Sequence, residues 1–379
     1  MSEQKRQHYV PIFYLKLFST GREKRRISLF HLGQQRLIPD VKIVRQAYKD
    51  NFYGSDRVFE KAFGLIEGRS AEVISDMITN NNHPSYYTQE HHVILTFVTM
   101  LHARTLYSAE ALNESVERTI KAIFSKDPRV KDHLDEVKVG LRNPAQWAVQ
   151  NVASMIHIVA DLGYKLLVNE TTTPFLTSDH PVVFYNQFFE TRRTWGSNTG
   201  LASKGLQIFL PLSPKHLIVF FDQDVYKMSG FFHRPVRLKD PMDIDQLNAL
   251  QLVNAHTNLY FNQDISAEYI KSLFSQFSSF RRTTKSDVKE FVGGKNEKGY
   301  QQSLIQMSRR DVRCGLSLSC VTSTKEAKRF KLDNRAVYVR NETIMRVSDE
   351  FTSLVSAGKY KPGEFQKFFG EHYGSRFKK

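Results

Sequence analysis

The sequence predicts an α+β fold: a helical block packed on a mainly antiparallel sheet, with a small basic α+β domain at the C-terminal end. Three observations lead there. Residues 56–161 carry apolar positions at helical spacing, interrupted by Asn- and Pro-containing stops. After Gly163 the texture changes to short, β-leaning apolar runs. Residues 283–300 then combine Thr283-Thr284, Gly293-Gly294 and many charges with little apolar material, which reads as a linker. The expected organisation is a core over 1–282, a linker over 283–300 and a basic domain over 301–379.

The elements follow in order. Gln7-His8-Tyr9-Val10-Pro11 with Tyr14-Leu15 is too aromatic for a frayed terminus and is expected to dock into the body of the protein. Residues 24–38 read as a hairpin turning at Gly33. Ser55 or Asp56 can cap a helix over about 56–79, with Val58, Phe59, Ala62, Phe63, Ile66, Val73, Ile74 and Met77 as its stripe. Residues 80–84 break the chain, and Thr88 opens a second helix expected to run to about Ser125. Asp127-Pro128 and Asn143-Pro144 punctuate helices near 129–140 and 144–161. Strands are expected at 164–168, 174–177, 182–185, 206–210 and 217–221, and helices at 243–261 and 266–278. Strands at 303–307 and 316–321 and a helix near 341–356 complete the chain.

Composition narrows the class. The 379 residues are 41% hydrophobic and 12% aromatic, enough for a ring-rich core. Cys314 and Cys320 lack CxxC spacing, so neither a disulfide framework nor a zinc site is expected, and a reducing cytoplasm fits. No apolar run is long enough to span a membrane. The net charge of +15 is uneven. Residues 1–50 carry 11 Lys+Arg against 4 Asp+Glu, residues 51–280 carry 21 against 24, and residues 281–379 carry 22 against 11. Two basic ends around a slightly acidic middle point to nucleic acid as partner, with no membrane contact. The clusters are Arg25-Arg26, Arg192-Arg193, Arg281-Arg282 with Lys285, Arg309-Arg310, and Lys328-Arg329. Phe280, Trp195 and Phe330 stand beside three of them, a pairing that suits single strands whose bases stack on rings.

The polar residues suggest chemistry. Glu60 and Glu67 are two helical turns apart on one face, about 10 Å along the axis. Gly64 between them leaves room for a ligand to approach. Asp179, in Thr177-Ser178-Asp179-His180-Pro181, follows a strand-like run and has hydroxyls beside it; the plainer reading is a turn in which it bonds the backbone. His8 can act as base or ligand near neutral pH. Arg104 can pair with Glu60 or Glu67 across a helix contact, or hold phosphate. Arg26 and His31 fit a spacing used by helical ribonucleases, but they fall in a strand. No phosphate-binding loop, GxGxxG, GxSxG or HExxH motif is present.

Several pieces together resemble one bacterial family, domain-of-unknown-function family 4238. They are His8-Tyr9-Val10-Pro11 with Tyr14-Leu15 and Phe18, the hairpin, Asn51-Phe52-Tyr53, Glu60, Glu67-Gly68, Arg104-Thr105, Thr177-Ser178-Asp179-x-Pro181, Pro211-Leu212-Ser213 and Leu247-Asn248. The resemblance covers about residues 5–265 and leaves out 284–379. It implies a prokaryotic cytosolic protein and brings no reaction class; some members look defence-associated or toxin-like, which would suit a nuclease. The expectation is a metal-assisted phosphodiesterase acting on RNA or DNA. Glu60, Glu67 and Asp179 would hold Mg²⁺ or Mn²⁺, and His8 and Arg104 would serve catalysis. The competing expectation is a non-catalytic nucleic-acid-binding or sensor module, or a partner of a neighbouring gene product.

Overall fold

The computed structural model describes residues 5–373 except 20, 22, 56, 87, 126, 193, 195–196, 232–233, 282–283, 296, 298–300, 310, 334–336 and 362–363. The first third holds β1 (Arg6–His8), α1 (Ile12–Lys16), β2 (Arg26–His31), β3 (Arg36–Lys42), β4 (Tyr48–Asp50), α2 (Val58–Asn80), α3 (Gln89–Ala103) and α4 (Leu106–Phe124). Next come α5 (Pro144–Ala153), β5 (Gly163–Asn169), β6 (Thr177–Ser178), β7 (Val183–Tyr185), α6 (Gln187–Glu190), β8 (Gln207–Ser213) and β9 (His216–Phe221). They are followed by β10 (Tyr226–Met228), β11 (Val236–Leu238), α7 (Pro241–Asn254), β12 (Asn258–Phe261) and α8 (Ala267–Phe277). The last stretch holds β13 (Ser286–Lys295), β14 (Gln301–Arg309), β15 (Val321–Ser323), α9 (Lys325–Arg329), α10 (Glu342–Ser356) and α11 (Phe365–Tyr373). The class is α+β, as the sequence predicts.

A five-stranded sheet in the order β11-β5-β9-β8-β7 is the centre. Only the β11–β5 pair is parallel. Every residue of β5, β8 and β9 is buried, so apolar side chains point to both faces of the sheet. The pleat sorts them into two cores. Leu166, Ile208, Leu210, Ile218 and Phe220 face the N-terminal arm, α2, α3 and α5. Leu167, Phe209, Leu217 and Val219 face α7 and α8. Burying each such side chain stabilises by roughly 1.5–3 kcal/mol.

The hairpin β2–β3 belongs to a second sheet, β3-β2-β12-β6, all antiparallel. The predicted sheet is thus divided, with β6 leaving it to pair with β12. The long predicted helix breaks at Arg104-Thr105, where the Thr105 hydroxyl accepts the Ser108 N–H and starts α4. Only a single 3-10 turn, Lys131–His133, stands where a helix was expected near 129–140. The helix expected over 243–261 ends at Asn254, and 258–261 form β12.

The C-terminal third departs most from expectation. Residues 286–295 are strand β13, paired with β14 and packed on α4, not a linker. Within residues 301–379, Val347, Phe351 and Phe368 form a small core of their own, and other parts of the stretch return to the main body. Leu316 and Leu318 lie in the α7 core, β15 pairs with β10, and Arg340 grips Asp161 at 2.7–2.8 Å. Asp243 accepts from Ser319 N (2.8 Å) and Oγ (2.5 Å), pinning the returning chain to α7. No helix among the described residues is long and apolar enough to cross a membrane.

Candidate functional site

The residues of the N-terminal motif fasten one another. Tyr14 is fully buried; its hydroxyl donates to the Pro211 carbonyl and meets Thr177 Oγ1, both at 2.7 Å. The Gln7 side chain accepts from Tyr53 N (2.5 Å) and donates to Gly54 O (2.8 Å). The Tyr53 hydroxyl donates to the Arg104 carbonyl at 2.5 Å. Arg104 Nη1 bonds Glu67 Oε1 (2.5 Å), Nη2 bonds the His8 carbonyl (2.6 Å), and the guanidinium lies 4.0 Å from the Phe63 ring centre. Burial works against the Arg104 charge, yet Tyr53 and Glu67 hold its pKa above the ordinary value. The expectation that Arg104 pairs across a helix contact holds for Glu67. Glu60 faces Arg57 at 4.0 Å on the helix surface.

His8 enters this clasp through its backbone, not its ring. The ring sits beside Tyr48 and its Nε2 meets the Val44 carbonyl at 3.3 Å. Burial lowers its pKa, opposed by that bond.

Asp179 lies elsewhere and is committed to the backbone. It is 1% exposed; Oδ1 accepts His256 N–H (2.8 Å), and Oδ2 accepts Thr257 N–H (2.8 Å) and Asn258 N–H (3.1 Å). Burial raises its pKa, opposed by His256 and the three donors. The three expected metal ligands therefore do not converge. Among the described residues, no three His, Cys, Asp or Glu side chains gather closely enough to hold a metal ion. The physical reason is prior occupation: Glu67 by Arg104, Asp179 by three amides.

Asp179 has a different role. It holds the N–H groups of 256–258, while Arg281 holds the carbonyls of Leu252 (2.6 Å), Ala255 (2.7 Å) and His256 (3.2 Å). Opposite charges thus clamp the turn from α7 into β12 on both sides. On α7, Asn248, Gln251 and Asn254 bind the carbonyls of Pro174, Pro181 and His180, stitching the Asp179 turn to the helix. The turn so fixed presents the His256 side chain to a hollow of about 200 Å³.

Tyr107, Val253, His256, Phe280, Lys285 and Asp311 are among the residues that line it. His256 Nε2 is 3.2 Å and Lys285 Nζ 3.0 Å from the same oxygen, Glu110 Oε2. The bond from His256, joined by Lys285, holds the Glu110 carboxyl down to about 2 against the cost of burial. Glu110 accepts a hydrogen bond from His256 Nε2–H, so in the neutral imidazole Nδ1 is the acceptor. Nδ1 has no hydrogen-bond partner among the described residues. Asp311 is turned to Ser197 Oγ (2.5 Å), Asn198 N (2.9 Å) and Thr199 Oγ1 (2.8 Å).

Sequence reasoning flagged Phe280, Arg281 and Lys285 but missed Glu110 and His256. The one local signal for His256 is its place between an apolar helix and the strand-like Leu259-Tyr260-Phe261; Glu110 has none. The other basic residues divide. Arg26 is bound to Asp40 (2.8 Å), Arg192 lies 4.0 Å from the Phe188 ring and bonds the Phe188 carbonyl, and Arg281 is the turn clamp. Arg25, Lys328 and Arg329 are exposed. Arg193, Arg282 and Arg310 lie outside the described residues, as does the side chain of Arg309.

No curated protein and no solved structure matches the chain. The family model described as "Protein of unknown function (DUF4238)" matches residues 6–264, so Glu110 and His256 fall inside the match and Phe280 and Lys285 after it. The chain belongs to that family.

Proposed function

We propose that the protein binds single-stranded nucleic acid, with one nucleotide entering the hollow at His256. The observation that carries the reading is the pairing of two rings, Tyr107 and Phe280, with the Lys285 ammonium in one solvent-open depression. A ring face accepts any base, and a neighbouring cation meets the phosphate. At about 200 Å³ the hollow falls below the roughly 300–1,000 Å³ of small-molecule sites. It suits one unit of a polymer better than an enclosed metabolite. The +15 net charge supplies long-range attraction for a polyanion. The negative charge of Asp311 is offset by Arg313, whose Nη2 lies 3.7 Å from Oδ2.

The test is an anisotropy titration of a labelled single-stranded oligonucleotide at several salt concentrations. Affinity should fall steeply with salt. Phe280→Ala should weaken binding by about 5- to 150-fold, the worth of one base stack. Lys285→Ala should weaken it and lower the salt slope by about 1. Equal binding by wild type and both variants would place any nucleic-acid contact away from this hollow.

A further inference from the structure

We infer that the hollow is also a metal-independent ribonucleolytic site, in which His256 takes the proton of a ribose 2′-hydroxyl. The inference rests on the single-strand reading above and narrows its ligand to RNA.

Three features point to this chemistry. His256 has the arrangement of a general base: Nε2 stands 3.2 Å from a carboxylate oxygen, Nδ1 has no hydrogen-bond partner among the described residues, and the residue lines a solvent-open hollow. Its backbone is held on both sides, by Asp179 through the N–H and by Arg281 through the carbonyl, so the ring has a fixed origin. Lys285 is anchored on the same Glu110 oxygen as the imidazole, which places an ammonium beside the base. Among the described residues that line the hollow, none is Ser, Thr or Cys. RNA supplies its own nucleophile in the 2′-hydroxyl, next to the phosphorus that it attacks.

The step balances without any added oxidant or reductant. His256 Nδ1 accepts the 2′-hydroxyl proton as the 2′-oxygen bonds to phosphorus. The bond from phosphorus to the 5′-oxygen breaks, and the Lys285 ammonium gives that oxygen its proton. The products are a 2′,3′-cyclic phosphate and a free 5′-hydroxyl. Lys285 regains a proton from water and His256 returns one, so no proton is gained or lost overall. The Lys285 charge also faces the negative charge that grows on phosphorus in the transition state. Glu110 does not touch the substrate; it is a positioning residue for both cations.

The experiment compares three oligonucleotides of one sequence in chelator-containing buffer: RNA, its 2′-O-methyl form and DNA. Binding is measured beside cleavage. Wild type should cut RNA alone, leaving 2′,3′-cyclic phosphate ends, while binding the 2′-O-methyl form intact. His256→Ala should lose about 10²- to 10⁴-fold in rate. Glu110→Gln should slow cleavage, and Glu110→Asp should restore part of it. Each variant is checked for a cooperative unfolding transition, and Glu60→Ala should cut as wild type does. Binding without cleavage of RNA overturns this inference and leaves the binding proposal standing. Binding of none of the three overturns both. Cleavage of DNA, or undiminished cleavage by folded His256→Ala, also overturns it.

Discussion

The clasp around Arg104 and the hollow around His256 use similar side chains to opposite ends. In the clasp, Arg104 is 5% exposed and its guanidinium is shared between Glu67 and the His8 carbonyl under the Phe63 ring. In the hollow, Glu110 gathers His256 and Lys285 where solvent still reaches them. A charge cluster enclosed by apolar surface costs desolvation and fixes a fold; one at the rim of an opening keeps capacity to act on a ligand.

That contrast can be broken by mutation. The largest effect should come from Arg104→Ala. It strips Glu67 and the His8 carbonyl of their partner at once and should cost on the order of 3 kcal/mol, read from the denaturant midpoint. An unchanged midpoint would remove the clasp from the account. Asp179→Ala orphans three amides, at about 1–3 kcal/mol for each that water cannot reach. It should also loosen the His256 turn, seen as faster amide exchange at 256–258.

A subtler effect is pH dependence. Burial lowers both His91 and His157 to about 4. Between 6.5 and about 4 the unfolded chain binds these protons and the folded one does not, so stability should fall as pH drops through that window. His157 meets Ser348 Oγ at 2.7 Å and stacks on Phe365, so His157→Gln should flatten its share of the fall in melting temperature. Smallest of all is Glu60→Ala. Its partner Arg57 is 4.0 Å away on an exposed face, and the change should stay within about 1 kcal/mol.

Legibility in the sequence follows the range of the interactions. Helix α2 announces itself by periodicity, although its N-cap is Arg57 with no side-chain cap bond rather than Ser55, and Asp56 lies outside the described residues. Helices α8 and α10 announce themselves by caps as well, as when Asn341 accepts the N–H groups of Thr343 and Ile344. The stop of α7 did not, because the carbonyls at its end are taken by Arg281, distant in sequence. The supposed linker became strand β13 through pairing with β14 and packing on α4, neither visible in its own charge-rich composition. The stretch 129–140 places Val130, Leu134 and Val137 at helical spacing, yet among the described residues it forms only the 3-10 turn Lys131–His133. At the site, residue type misled where position decided. Glu67 and Asp179 looked available in one dimension, and in three they are already bound. His256 and Glu110 become partners only once α4 and the α7–β12 turn are brought together.

The most direct measurement is a side-by-side titration of one single-stranded RNA with wild type, Lys285→Ala, Phe280→Ala and Glu67→Gln, each corrected for its folded fraction. The two hollow variants should bind several-fold or more weakly, and folded Glu67→Gln should bind as wild type does. Loss of binding in Glu67→Gln with retention in both hollow variants would contradict the division between clasp and hollow.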